Sequence, residues 1–598
     1  MENIRVWRSP YTTFGGLNSL CPPSLTDETV LAEKVYTNEV LEEIAQSGFN
    51  GIWLHAFLAN IVKSEAFPEF GEHTSIHLES LRKLIERSAR FGIKVYLFCQ
   101  PVRSVALKNR AFWEKHSDVM GQIERSSEQV LEETLNESLE MGCLCTSTEP
   151  VKQLLRESGG YLAKNLPGLG GLILITASEY PGHCYSHRRK ENPTIWSPLI
   201  ECPRCKEREP WEIVAEMINL MHEGIREYSR DMKIIAWNWG WSGYIAAPCT
   251  PLLEKLPKDT IIMAGFEQGG FMELAGRPGH PVTEYSLTYP GPSPVCTKML
   301  EEAQRLGFTC MTKLQIGTTH ELGSVVSFPL MESIYEKASY HRNNPSIGYM
   351  GCWNFGNMVS ANTVGFNFFL RQETSSNKKQ ALADFASYYF PSCDPAWVLA
   401  AWETFSRAAE NIPFSIPFLY NGVHAHALSY FEIYRPEPLK GTDPGTSYLP
   451  CKKRGDDLQK SCCNEGLPWT LDEIITSLSK MGAIWEEGAR MLARGLSSTS
   501  SPNGAKELGN AVTVGALWES AAHAYRAYRL RLDWKEEKKP ELLRIIREEM
   551  KTVEKALPHV EKDERLGYHG EAGLRFFDGE SMKSKLEFLK AMEEKLSN

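Results

Sequence analysis

Short apolar runs without strict polar alternation recur along the first part of the chain: Ile4–Arg8, Asn50–Phe57, Ile93–Gln100, Gly171–Ser178, Met232–Gly240, Ile261–Phe266, Phe308–Ile316 and Ile347–Phe355. Such runs fit parallel strands buried on both faces. Between them lie amphipathic helical stretches such as Leu78–Ala89 and Met299–Leu306, each closing on glycine (Phe91-Gly92, Leu306-Gly307), as helix C-termini prefer. Cys143–Thr148 also reads as a strand. Taking Ile4–Arg8 as the first instead gives the helix around Val40–Gln46 a place between strands one and two. The pattern predicts a (β/α)8 barrel over 1–372, with its chemistry at the C-terminal rim.

After about Gln372 the strand signal stops and helical periods take over, at Lys379–Tyr389, Pro395–Ala409, Leu471–Gly495, Gly504–Arg531 and Glu541–Leu557. An α-helical domain over 373–598 is expected, with a loop-rich insert near 436–466 that contains Cys462-Cys463. At 598 residues the chain exceeds what one core organises, so two domains suit its size.

A formal charge of −10, from 65 basic and 75 acidic residues, argues against a nucleic acid or an anionic membrane as the main partner. Met1–Pro10 lacks the apolar core of a signal peptide, and no stretch reaches the roughly 18 apolar residues of a membrane span. A cytoplasmic location is expected, or a secreted one if a leader is missing from this sequence. The 15 cysteines, odd in number and scattered through strands and loops, read as reduced thiols rather than a disulfide framework. Self-association stays open.

Three strands run into glutamates: Glu179 after the fourth, Glu267 after the sixth and Glu321 after the seventh. Two carboxyl groups flanking one bond are what glycoside hydrolysis uses, one to protonate the leaving oxygen and one to act on the anomeric carbon or its water. Trp239 and Trp241 at the end of strand five, with Asn238 between Trp237 and Trp239, offer stacking faces and an amide for a pyranose. Trp353 and Asn354 after strand eight and Gln315 at strand seven extend the same chemistry.

A second constellation follows Glu179. Cys184-x2-His187, fourteen residues, then Cys202-x2-Cys205 has the spacing of a structural zinc knuckle, with His183 as an alternative fourth ligand. Four protein ligands would leave no open position for water, so such an ion would pin the loop behind the acid. No cofactor is expected in catalysis itself.

From Gly171 to Leu370 the chain resembles the α-glucuronidases that remove glucuronic acid from xylan. The resemblance lies in Thr176-Ala177-Ser178-Glu179, in Leu314-Gln315-Ile316 with Glu321-Leu322-Gly323, and in Asn354-Phe355-Gly356 with Ala361-Asn362-Thr363-Val364-Gly365-Phe366. It implies a barrel followed by a helical domain, exo-acting cleavage of a terminal sugar (a uronic acid or related pyranose), Glu179 as general acid, Glu321 as general base and Glu267 at a second base position. That family carries a β domain before its barrel, for which this chain has no room, and lacks the Cys/His loop. A uronate would also need a cation, and Lys313, Arg188 and Arg277 are the candidates.

Two other readings fit the rim. β-N-acetylhexosaminidases use such barrels with substrate-assisted catalysis, but orient the acetamide with a carboxyl next to the acid, where this chain has Ser178. A carbohydrate-binding barrel without catalysis would need only the aromatics and amides. Two polar segments of the helical region stand out: Asn421–His426 reads as a helix cap or surface break, with the barrel mouth as the alternative for its histidines, and Asp563–His569 as a segment that folds back on the domain or on a neighbouring subunit.

Overall fold

The computed structural model describes residues 3–12, 27–125, 140–178, 180–194, 197–243, 245–371, 373, 377–441, 443, 446, 458 and 469–597. Glu179, Cys462-Cys463 and most of the 436–466 insert lie outside these residues.

All eight predicted runs form the strands of one barrel: β1 (Arg5–Trp7), β2 (Gly51–His55), β3 (Lys94–Cys99), β4 (Gly171–Ile175), β5 (Lys233–Trp237), β6 (Ile261–Gly265), β7 (Thr309–Lys313) and β8 (Gly348–Met350). They close in the order β1-β8-β7-β6-β5-β4-β3-β2, every pair parallel. Val6 stands opposite Met350 on one side and Gly51 on the other, so the shortest strands seal the ring. Asn50 reinforces the seam: its Oδ1 accepts from Arg5 N (2.8 Å) and its Nδ2 donates to Asn3 O (2.8 Å). Ile52, Leu97, Ile173, Ile235 and Met263 are buried, as unbroken apolar runs require. The strand reading at Cys143 finds its place elsewhere. Glu140–Leu144 is the middle of a three-stranded antiparallel sheet with Val105–Ala106 and Met120–Arg125, in the connection after β3.

The helix stops work as predicted. After Thr74–Ala89, Gly92 adopts φ 70°, its N–H bonds to Ala89 O (3.1 Å), and Ile93 N reaches Ser88 O (3.0 Å) before β3 begins. After Pro294–Arg305, Gly307 at φ 85° and Phe308 repeat the pattern, with Phe308 N on Ala303 O (2.9 Å). A left-handed residue followed by an apolar one satisfies the last carbonyls and turns the chain into the next strand.

The chain forms two compact units, and they do not meet at one point in the sequence. The barrel unit comprises Met1–Phe266, Pro294–Leu314 and Pro345–Gly351; the helical unit comprises Glu267–Ser293, Gln315–Asn344 and Cys352–Asn598. The connections that follow β6, β7 and β8 therefore group with the helices, in place of one boundary at 372. Hydrogen bonds explain why. Ser324 Oγ donates to Ala425 O (2.5 Å), Asn510 Oδ1 accepts from Val326 N (3.2 Å) and His280 Nε2 donates to Phe414 O (2.5 Å).

Within the helical unit Pro395–Ala409, Leu471–Gly495, Pro502–Leu532, Lys539–Val560 and Gly579–Ser597 pack each on the next. Trp485 stacks on Phe405 (4.3 Å between centroids) and on Phe328 (5.4 Å) in its core. A fully buried ion pair, Glu549 with Lys585, joins the last three helices through Ser520, which donates to Glu549 (2.5 Å). No described helix is long and apolar enough to cross a membrane.

Gly307→Ala should cost about 1 kcal/mol, because a Cβ there meets no neighbour and only the left-handed backbone is strained. A urea midpoint unchanged from the parent would show that this turn does not need glycine.

Candidate active site and cysteine cluster

At the C-terminal ends of the barrel strands an aromatic arc crosses from β2 to β5. Trp53 and His55 (5.5 Å between centroids), His55 and Phe98 (4.7 Å), Phe98 and Trp237 (6.1 Å), and Trp237 and Trp239 (5.6 Å) follow one another. Trp239 is the partly exposed tryptophan of this chain of contacts. Trp241, expected as a second stacking face, is instead fully buried, its indole N–H spent on Thr176 Oγ1 (2.8 Å). Its ring is packing, because the chain turns into a 3-10 helix at Trp241–Gly243 and rolls the side chain inward. Asn238 Oδ1 accepts the N–H of Gly265 (3.1 Å), joining the ends of β5 and β6.

Residues on both sides of Glu179 are tightly held. His183 Nε2 donates to Thr176 O (2.8 Å) and His187 Nε2 to Ser178 O (2.9 Å). From the connection after β3, Gln100 Nε2 donates to Tyr180 O (3.1 Å), Ser104 Oγ to Pro181 O (2.7 Å), and Tyr180 OH to Ser104 O (3.2 Å). The Arg103 guanidinium lies over the Tyr180 ring (3.6 Å) and near Phe57 (4.9 Å). The cations named from sequence are placed differently. Lys313 is buried with Nζ on Leu314 O (3.1 Å), Arg188 pairs with Glu124, and Arg277 pairs with Glu473 over Trp469.

Cys184, Cys202 and Cys205 come together as expected, but the fourth member is Cys145 rather than His187 or His183. Both histidine rings face away to main-chain carbonyls, as above, whereas Cys145 arrives from the end of the Glu140–Leu144 strand. All four thiols are buried and lie within 4.8 Å of one another. Hydrogen bonding within the group, first with Cys184, holds the Cys145 thiol down at about 6 and pushes that of Cys184 well up.

The helical unit holds the other two sequence-predicted glutamates. Glu267 is fully buried and ion-paired with Lys337, and it accepts from Gln315 N (3.1 Å). Lys337 Nζ also donates to Ser286 O (2.9 Å) and Gln315 O (3.2 Å), so the pair knits the connections after β6 and β7 together. Glu321, equally buried, receives Ser286 Oγ (2.6 Å), Leu287 N (2.8 Å), Thr288 N (3.3 Å) and Thr319 Oγ1 (2.9 Å). Both of its oxygens are occupied by groups of its own loops. Gln315 likewise spends Nε2 on Thr318 O (2.7 Å).

Beside these lies a group that sequence reading missed. Tyr420 OH donates to Glu284 (3.3 Å) and is 3.4 Å from His320 Nε2; His320 Nδ1 is 3.7 Å from Glu571, which accepts from Trp353 Nε1 (3.2 Å). Tyr285 stacks on His320 (6.3 Å). Asn354 is buried, and neither of its amide atoms has a hydrogen-bond partner among the described residues. Glu284 and Glu571 are separated by hundreds of residues with no local motif; the one signal was the polar segment ending at His569. That segment packs on the connections after β7 and β8. Gly567 N bonds to Ser324 O (2.9 Å), and the His569 ring lies 5.5 Å from Phe355. The other flagged segment is buried beneath it, with His424 Nε2 on His320 O (3.3 Å).

No protein-family model matches the chain, and no curated protein matches it. Among solved structures it is similar over its whole length to a GH138 enzyme targeting pectin rhamnogalacturonan II, at 11% identity and a TM-score of 0.52, covering 67% of that chain. A Bacteroidetes-affiliated GH5 cellulase linked with a polysaccharide utilization locus shares 12% identity over 63% of this chain and 93% of its own, with a TM-score of 0.36. The first likeness is one of fold; the second bears no weight.

Removing the ammonium of the buried pair, as in Lys337→Met, should destabilise the protein by about 3–5 kcal/mol by stranding Glu267, which a chemical-denaturation midpoint would register. Burial lowers His77, His183 and His424 to about 4 and His569 to about 3. Unfolding releases them to take up protons near 6.5, so stability should fall as pH drops from 6.5 towards 4, partly opposed by Glu28, which burial raises to about 7. Thermal midpoints that stay level or rise across that window would contradict it.

Proposed function

We propose that this chain is a glycoside hydrolase that removes a terminal sugar from a polysaccharide or oligosaccharide, with Glu179 as the general acid. The observation that carries the reading is the aromatic arc ending at Trp239, at the C-terminal ends of the parallel strands, where barrels of this kind hold their chemistry. The fold likeness to an enzyme that targets a pectic polysaccharide supports it, as does the motif resemblance to α-glucuronidases.

Each part has a stated role. Glu179 follows Ser178 at the end of β4 and protonates the glycosidic oxygen as the bond breaks. Trp239 stacks on the apolar face of the pyranose. Arg103, seated on the ring of Tyr180, is the cation for a carboxylate on the sugar, which makes a uronic acid the favoured terminal residue. Within the helical unit, Glu321 has both oxygens occupied by its neighbours and Glu267 is ion-paired with Lys337, so both act there as braces.

On a panel of oligosaccharides and activated uronides, Glu179→Gln should lower kcat/KM at least about 100-fold, with the larger loss on natural leaving groups that need protonation. Arg103→Met should raise KM for uronides more than for neutral glycosides. Glu321→Gln should act through stability, lowering the denaturation midpoint. Full activity of Glu179→Gln on an unactivated oligosaccharide would sink the assignment.

A further inference from the structure

We infer that Cys145, Cys184, Cys202 and Cys205 bind one zinc ion per chain, which fastens the connection after β3 to the connection after β4. The inference does not depend on the proposed catalytic chemistry.

The distances have the right scale. Zn–S bonds of about 2.3 Å at tetrahedral angles place sulfurs about 3.8 Å apart; Cys145 Sγ is 3.8 Å from that of Cys202 and 3.5 Å from that of Cys205. A disulfide would need sulfurs about 2.05 Å apart. Four thiols so close in a buried site repel one another once ionised, and a divalent cation at their centre removes that conflict.

The surroundings are built for thiolates. Gln122 N–H points at Cys184 Sγ (3.4 Å), Arg204 Nε at Cys145 Sγ (3.3 Å), and Ser147 Oγ lies 3.4 Å from Cys205 Sγ, itself receiving Arg208 (3.0 Å). Such donors offset the excess negative charge of a four-thiolate zinc centre. A Cβ at Gly121 would stand 2.3 Å from Cys184 Sγ, so only glycine lets the Met120–Arg125 strand approach that sulfur. The ladder shift between Met120 and Ile123 falls at the same place. Cys143, two residues before Cys145, is buried in the same cluster but is not among the four. An all-sulfur tetrahedral set leaves no position for water, so the ion is structural and supplies no nucleophile.

Elemental analysis of the full-length protein should give one zinc per chain. Mercurial titration should release it together with thiols that are otherwise unreactive. Cobalt exchange should give the intense visible bands of tetrahedral cobalt with strong thiolate charge transfer. Cys145→Ser should lose most of the metal and weaken the charge-transfer band, whereas His187→Ala should keep full stoichiometry. Zinc removal should speed proteolysis within 184–205. Metal-free protein with four reactive thiols, disulfides among the four, iron in place of zinc, or metal lost from His187→Ala but kept by Cys145→Ser would overturn the inference.

Discussion

The closure of the ring at β1 is the constraint on which the rest depends. A parallel sheet has no unpaired edge only if its first strand bonds on both sides, and β1 does so with three residues. Tyr349 N reaches Ile4 O (2.8 Å), Gly351 N reaches Val6 O (3.0 Å), and on the other flank Asn50 N reaches Arg5 O (3.1 Å). So little ladder needs help from side chains, which the Asn50 amide supplies. Once the ring is shut, the end of every strand faces the same way, and the residues that follow the strands become candidates for one chemistry.

Charge inside this protein is handled by pairing. Arg8 with Glu28, Glu267 with Lys337 and Glu549 with Lys585 are all buried ion pairs, and each ties together chain segments far apart in sequence. The mutual attraction in such pairs roughly offsets the loss of hydration, so their value is to fix which segments meet. A glutamate at the end of a barrel strand can therefore be a brace as readily as a catalyst. Glu321 shows the same with neutral donors.

The barrel was legible because its signals are local: apolar runs of strand length, and Gly92 or Gly307 at the helix stops. The cysteine cluster was legible for the three members in one loop. Cys145 was not, because it comes from an antiparallel strand in a different connection and shares no spacing with the others. His187 carried the right spacing but found a carbonyl of its own. Trp241 and Trp239 have the same apparent periodicity, and only the turn at Trp241–Gly243 separates buried from accessible. Glu284 and Glu571 are ordinary glutamates in sequence and become partners of one histidine and its neighbours only through packing.

Synthesis order gives the C-terminal segment a particular weight. All eight barrel strands are complete once Met350 has left the ribosome, yet Trp353 and His320 meet Glu571 only after the long helices have been made. The connections after β7 and β8 must wait for their last partner while the long helices are translated. A chain cut short just before His569 would retain every strand of the barrel and still lack the carboxylate that Trp353 holds.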